Sequence, residues 1–570
     1  MIRNAIADLV TQAIKNAQAA GALPAFDPPA IEISRPKEAA RGDFTSAAAM
    51  QSAKPARMAP LAIAQVMAAH LPAADFIAVV EVAPPGFINF RLSDAWLAGQ
   101  VAAIEAAQGR YGDIDLGGGK MCQVEFISAN PTGPLHMGSA RNAVLGDALA
   151  SVLAAAGWQV QREYYVNDAG TQMRTFAETL YRRYLQAFGQ DAPLESHHYQ
   201  GAYVTGLALE LKAEYGDRVL AMPAEYGDRF LAMPAEEAIS ALSEIGLVKV
   251  LAWIRTSAER LRIHFDRWYS ERSLYAAGGV FEHVIADLRA RGLTEDKDGA
   301  EWLRTSAFGS DRDEVLVRSS GQPGYYASDV AYHYDKFVLR GLDRVIDVWA
   351  VDHQNQARRM PHLMRALGLD PARLDIVLYD LVRLYRDGQE VKLSKRSGDI
   401  ITVDEVVDEV GADAVRFLLL TRSNQAVMDF DLNLAVQQND ENPVYSVQYA
   451  HARMASILRT AAERGFTGDA MAQGDLDLLR HPGELTLLRK IAELSEVIDK
   501  AAVQLAPHGL AFYAMDLAGV FHAFYRDCRV LSSDPADAAL SCARLRLVAA
   551  TKAVFALVLG LMGVNAPECM

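Results

Sequence analysis

The sequence predicts a multidomain α/β protein. It has a small N-terminal α+β domain, a Rossmann-type parallel-sheet domain with helical insertions, and an all-α C-terminal helical bundle. Three observations predict this. A chain of 570 residues, 51% of them hydrophobic, is too long for one core. From residue 120 onward, apolar strand-like runs alternate with helical periodicity, as a doubly wound sheet requires. Beyond residue 443, apolar residues recur at three- and four-residue spacing to the end of the chain.

Residues 1–20 carry apolar side chains at helical spacing with Asp8 inside the pattern, which reads as an amphipathic helix and not a signal peptide. Residues 31–34 read as a strand, 47–71 as an alanine-rich helix, and 76–81 and 87–91 as two strands split by a Pro-Pro-Gly turn. Arg41-Gly42-Asp43 reads as turn chemistry. A helix over 93–108 and a glycine-rich linker at 115–119 close the unit. Strands at 121–127 and 159–166 then alternate with helices at 137–156 and 171–186. A helical and irregular interruption occupies about 187–300. The alternation resumes with strands near 314–318 and 344–349, a helix at 356–367 and a strand at 375–379. Residues 404–421 read as helix. The expected domains are 1–112, 113–440 and 441–570. Inside the interruption, AEYGDRVLAMP (213–223) is repeated as AEYGDRFLAMP (224–234), differing at Val219 and Phe230. One duplicated unit is too few for a solenoid and reads as a local duplication in a tolerant surface region.

The net charge of −15 argues mildly against a nucleic-acid partner, although a local basic face is still available from Arg383, Arg386, Lys392, Lys395 and Arg396, and from Arg358, Arg359 and Arg365. Four scattered cysteines (Cys122, Cys528, Cys542, Cys569) show neither a disulfide framework nor zinc-ligand spacing, so no metal site is expected and a reducing cytoplasm is the expected location. No apolar run reaches membrane-spanning length, so no membrane partner is expected.

The most informative segment is 124–150, VEFISANPTGPLHMGSARNAVLGDALA. It reads as a strand, a Pro/Gly turn and a helix opening near His136. A helix N-terminus presents free N–H groups and a positive dipole end to an anion. The GxxxxGK[ST] phosphate loop is absent. Further on, VKLSKRSG (391–398) can turn Lys392 and Lys395 towards one anion, with Ser394 as a donor. Alone, that cluster reads as a solvated loop. Paired with the first segment, it reads as the other half of a nucleotide site.

HMGS (136–139) resembles the HIGH motif and KLSKR (392–396) the KMSKS motif of class I aminoacyl-tRNA synthetases. The flanks EFISANPTGPLH, REYYVNDAG, YYASDVAYH, VDHQNQ and NPVYSVQYAHAR, and the ending GLMGVNAPECM, are similar to arginyl-tRNA synthetases. So are RGDFTSAAAM and PPGFINFRLS in the N-terminal unit. The resemblance implies an ATP-dependent arginine–tRNA ligase. Its partners would be tRNA(Arg), L-arginine and ATP with Mg²⁺, with no tightly bound cofactor, no DNA and a monomeric state. It implies ATP contacts from Pro131, Gly133, His136, Gly138, Lys392 and Lys395, with Ser139 and Ser394 also in the catalytic set. It places Glu125, Ser128, Asn130, Tyr325, Asp329 and His353 around the arginine, and it makes the C-terminal bundle an anticodon-binding domain. Ser139 departs from the motif, which carries a second histidine there. That departure leaves the alternative of a catalytically weakened tRNA-binding paralogue, and another class I aminoacyl-tRNA synthetase is a separate alternative.

The residues have their own physical readings. A guanidinium asks for carboxylates. Glu125 in an apolar strand would be costly to bury without a cation, which favours a ligand role. Asn130 could be turn chemistry, Asp329 a helix N-cap and His353 a core histidine. His362 and His451 read as structural or surface residues, and Tyr445 and Tyr449 as helix packing.

Overall fold

The computed structural model describes residues 1–215, 234–391, 401–466 and 468–570. The lysine loop, with Lys392, Ser394 and Lys395, lies outside the described residues, as does nearly all of the tandem repeat.

At the centre stands a five-stranded parallel sheet. Across it the strands run Leu374–Tyr379, Arg344–Ala350, Met121–Glu125, Gln159–Val166 and Arg267–Ser270. Chain order reverses between Met121–Glu125 and Arg344–Ala350. At such a switch point the loops leaving the two strands diverge to opposite faces and open a crevice at the C-terminal strand ends. The helix Met137–Ala155 leaves this crevice and is buried along nearly its whole length, from Met137 to Leu153. At Gly146 an added Cβ would fall 2.3 Å from the Phe126 side chain, so glycine sets how closely the helix and the Phe126 segment approach.

Two expectations are corrected. The strand Arg267–Ser270 lies inside the stretch read as a helical interruption, yet it pairs with Gln159–Val166 and forms the sheet edge. Four residues are too few to display a period. The strand Glu314–Val317 does not continue the parallel sheet. It joins Ala300–Leu303 and Thr294–Lys297 in a separate antiparallel sheet. Three helices expected as single elements are broken. Ala48–Ala56 is followed by Pro60–Ala69, Gln354–Ala357 by Met360–Ala366, and Val403–Val410 by Ala412–Leu419. Each break has a local cause. Pro60 and Pro361 sit in first turns, and Gly411 has φ of 80°.

The N-terminal unit joins helix Ile2–Ala19 to a four-stranded sheet in the order Ile33–Ser34, Phe44–Ser46, Phe87–Leu92, Ile77–Ala83. Asp43 of the RGD tripeptide accepts the Leu92 N–H (2.7 Å) and pairs with Arg489 (2.7 Å), which agrees with a turn role. The helix Asp94–Ala107 buries Leu97, Ala98, Val101 and Ile104 and packs on Pro482–Ala492 and Ala538–Leu561 of the C-terminal helices. Glu105 and Arg546 form an ion pair at the same seam (2.6 Å). The four cysteines are unpaired, and among the described residues no helix is long and apolar enough to cross a membrane.

Candidate active site

Past Glu125 the chain turns through Ile127 (φ 64°) and Ser128 (φ 41°). A β-branched residue avoids this left-handed region, so the turn must be held from outside. Asn142 holds it. Its Oδ1 accepts the Ile127 N–H (2.6 Å), and its Nδ2 donates to the Val348 carbonyl (2.9 Å) on the other side of the switch point. Ser128 Oγ donates to Glu125 Oε1 (2.9 Å) and accepts the Tyr165 N–H (3.1 Å). Asn130 donates to Gln172 Oε1 (2.6 Å), beyond a local turn role. Pro131 is buried. A Cβ on Gly133 would lie 2.8 Å from the Tyr203 ring, whose hydroxyl donates to the Thr132 carbonyl (2.9 Å), so packing already accounts for glycine there.

His136 caps the helix, with Nδ1 accepting the Gly138 N–H at 3.1 Å. In a neutral ring that leaves the proton on Nε2. A Cβ on Gly138 would approach the His136 ring at 3.0 Å, so glycine at this spacing makes room for the imidazole. Ser139, at 7% exposure, sits in the first turn, where helix amides lack intrahelical acceptors. The chain leaving the lysine loop returns to this point. Thr402 bridges His136, and the Val403 N–H donates to the Leu135 carbonyl (2.9 Å). Arg141, on the same helix and 2% exposed, donates to the carbonyls of Asp380 (2.7 Å), Leu381 (3.1 Å), Ser423 (2.9 Å) and Ala426 (2.7 Å).

Beneath the crevice lies a row of carboxylates. Asp347, Glu125 and Glu163 are register partners on three adjacent strands, so their side chains share one face. All three are buried. Lys336, itself fully buried, donates to Glu125 Oε2 (2.6 Å) and Asp347 Oδ1 (2.8 Å). Arg340 pairs with Glu163 (2.6 Å), which also accepts from Tyr332. Lys336 lies in a π-turn, Asp335–Leu339, that continues helix Ala327–Tyr334, and Arg340 is the residue that caps its end. Burial raises the Glu125 pKa, against the pull of Lys336. Asp347 is also penalised by burial, but Lys336 and His333 hold it at about 2. Burial of Glu125 does not call for a substrate cation, contrary to the sequence-based expectation, because the protein supplies its own cation in Lys336. Sequence reasoning missed Lys336, since a lysine in DKF gives no sign of burial.

Above the row, Asp329 is half-buried. Its Oδ2 accepts from Gln356 Nε2 (2.7 Å), and burial raises its pKa. It does not cap its helix, whose N-cap is Tyr326. Tyr325 is 71% exposed, whereas Tyr326 is 2% exposed with its hydroxyl on the Arg359 carbonyl (3.3 Å). His353 is exposed and faces Gln356 Oε1 (3.2 Å), so it is not a core histidine. His362 and His451 bind the carbonyls of Phe308 (3.0 Å) and Pro567 (2.8 Å), as structural residues do. Tyr445 and Tyr449 stack at 6.2 Å.

Glu271, immediately after the missed strand, was not anticipated. Burial, Asp168 and Asp329 push its carboxyl up to about 7. The Tyr165 phenol, its pKa raised chiefly by burial, lies in the field of Glu271, Asp329 and Glu125 together. The crevice is therefore acidic at the sheet and amide-rich at the helix start, an arrangement suited to a cation beside an anion. In the two basic clusters of the sequence, the described Arg383 and Arg386 pair with Asp429 (2.8 Å) and Glu409 (2.5 Å), and Arg359 pairs with Glu314 (3.0 Å).

Three family models match the chain: the arginyl tRNA synthetase N terminal domain over 4–92, the class I (R) tRNA synthetase catalytic domain over 100–451, and the DALR anticodon binding domain over 447–570. An arginine–tRNA ligase of Dehalococcoides mccartyi is 45% identical over 569 residues, covering 100% of this chain and 99% of the relative. One from Heliobacterium modesticaldum is 44% identical, with 100% and 99% covered. The solved Thermus thermophilus arginyl-tRNA synthetase superposes with a TM-score of 0.76 at 26% identity, covering 100% of both chains.

Proposed function

The chain belongs to the class I arginyl-tRNA synthetases, and from that premise we propose how its residues divide the work of an arginine–tRNA ligase. In the first half-reaction the arginine carboxylate attacks the α-phosphorus of ATP. The α–β bridging P–O bond breaks, pyrophosphate leaves and arginyl-adenylate remains. In the second, the hydroxyl of the tRNA's 3′-terminal ribose attacks the arginyl carbonyl. That hydroxyl gives up its proton, and AMP departs.

The observation that carries the assignment is the gathering of Glu125, Asp329 and Glu271 around Tyr165, beside a helix start capped by His136. Asp329 and Glu271 receive the guanidinium, with Tyr325 at the rim and Gln356 holding Asp329 in place. Glu125, with Ser128 fixing its rotamer, adds negative charge on the floor. Asn130 and His353 take the α-amino end. His136 Nε2–H, the first-turn amide at Ser139, and Lys392, Ser394 and Lys395 stabilise charge on the phosphates, with Gly138 leaving room for the capping ring. Such fixed donors act where charge develops in the displacement. Pro131 and Gly133 shape the adenylate side of the turn. Mg²⁺ accompanying ATP neutralises phosphate charge. In this reading residues 1–112, 113–440 and 441–570 are the domains, and a monomer charges tRNA(Arg) in the cytoplasm.

The test is pyrophosphate exchange by the purified protein with each standard amino acid, in the presence of tRNA. Exchange that depends on arginine and on tRNA is expected. Exchange with another amino acid and none with arginine would refute the assignment.

A further inference from the structure

We propose that Lys336 is a positioning residue for arginine binding: its ammonium group, shared between Glu125 and Asp347, keeps Glu125 charged and aimed at the substrate's cationic end. This rests on the reading of Glu125 as an arginine ligand.

Glu125 accepts one hydrogen bond at each carboxylate oxygen, from Ser128 at Oε1 and Lys336 at Oε2. A carboxylate oxygen can accept a second, so capacity for a substrate N–H remains on both. Lys336 is at 0% exposure and lies 4.1 Å above the Tyr332 ring, so its ammonium is held on three sides. Asp347 Oδ1 pins the lysine, and Asp347 Oδ2 lies 3.0 Å from His333 Nε2. His333 Nδ1–H donates to the Asp329 carbonyl (2.8 Å). The result is one continuous chain from the backbone of Asp329 through His333, Asp347 and Lys336 to Glu125. It spaces two of the candidate arginine carboxylates with a single set of buried charges.

The charges facing Glu125 are those of Lys336 on the π-turn, Asp347 on one flanking strand and Glu163 on the other. The Tyr332 and Tyr165 phenols also face it. Arg340 and Arg267 answer Glu163 at 2.6 and 3.6 Å and are spent there. Without Lys336, Glu125 would lie between two carboxylates with no cation of its own. It would take up a proton and present a neutral acid to the substrate.

Three variants test this by the arginine and ATP dependence of pyrophosphate exchange: Lys336→Met, Glu125→Gln and the double variant. Removing a buried charge partner should raise the arginine KM of Lys336→Met about 30-fold or more, with the ATP KM within about threefold. Glu125→Gln should match it. The double variant should be no worse than about threefold beyond Glu125→Gln, because Lys336 acts through Glu125. In Lys336→Met the arginine KM should also fall more steeply with rising pH than in the wild type. A lower melting temperature with an unchanged arginine KM would make Lys336 merely structural and overturn the proposal, as would multiplicative effects in the double variant. An unchanged arginine KM in Glu125→Gln would instead overturn the reading of Glu125 as a ligand. Should Lys336→Met not fold, Lys336→Met combined with Asp347→Asn removes the cation together with its second carboxylate and carries the same KM expectation.

Discussion

Asp329→Asn should weaken arginine binding and at the same time stabilise the free protein. The side chain is half-buried, and the hydrogen bond that Gln356 donates to Oδ2 at 2.7 Å is one that an asparagine oxygen can still accept. The substitution therefore removes charge while keeping shape. Loss of one partner from a desolvated charge pair costs about 2–5 kcal/mol, or about 30- to 5,000-fold in arginine KM. The stability effect has the opposite sign. Burial raises the Asp329 pKa above its unfolded value, so the folded state binds the proton more tightly. Stability therefore falls as pH rises from the unfolded pKa to the folded one, and an ionised Asp329 is a cost at neutral pH. Asparagine relieves that cost. The assays are the arginine dependence of pyrophosphate exchange with saturating tRNA, and thermal unfolding of the free enzyme at pH 7.5. A KM within threefold of wild type, or a melting temperature several degrees lower, would refute the argument.

Other predictions follow the same geometry. Because Glu271 titrates at about 7, and a bound guanidinium favours its ionised form, the arginine KM should fall roughly tenfold from pH 6 to a plateau near pH 8. A flat profile, or one that Glu271→Gln leaves unchanged, would dismiss Glu271. Gly138→Ala should push the His136 ring off its amide and lower kcat by about tenfold or more, since an electrostatic donor of this kind contributes about 10²–10³; folding, read by circular dichroism, should change little. Arg141→Met strands four carbonyl acceptors and should cost about 3–5 kcal/mol in denaturant unfolding. Ser139→His places a large ring at a 7% exposed position and should not raise activity; a gain of about a hundredfold would mean that serine is a lesion here.

The elements with a long period were legible from residues alone. Helix Met137–Ala155 and strand Gln159–Val166 lie where their patterns put them. Arg267–Ser270 did not show itself, because four residues carry no period, and Glu271 was lost with it. The break at Gly411 was hidden because Val403–Val410 and Ala412–Leu419 share an apolar rhythm across the glycine. In the site, Glu125 and Asp329 could be named from the family resemblance. Nothing in the order of residues shows that Lys336 faces Glu125, since a pairing between residues so distant in the chain is created by the sheet register and the π-turn. Burial of a charge is legible only when its partner is known.

The seam between helix Asp94–Ala107 and the C-terminal helices sets a timetable for synthesis. The apolar stripe of Leu97, Val101 and Ile104 leaves the ribosome early, while its cover, Pro482–Ala492 and Ala538–Leu561, is made last. At about 5–20 residues per second, that stripe waits roughly 20 to 90 seconds for its partner. During this interval the nascent chain carries an unsatisfied sticky surface, so slower elongation or loss of the last helix should register first as aggregation or chaperone retention, before any loss of catalysis in the molecules that finish.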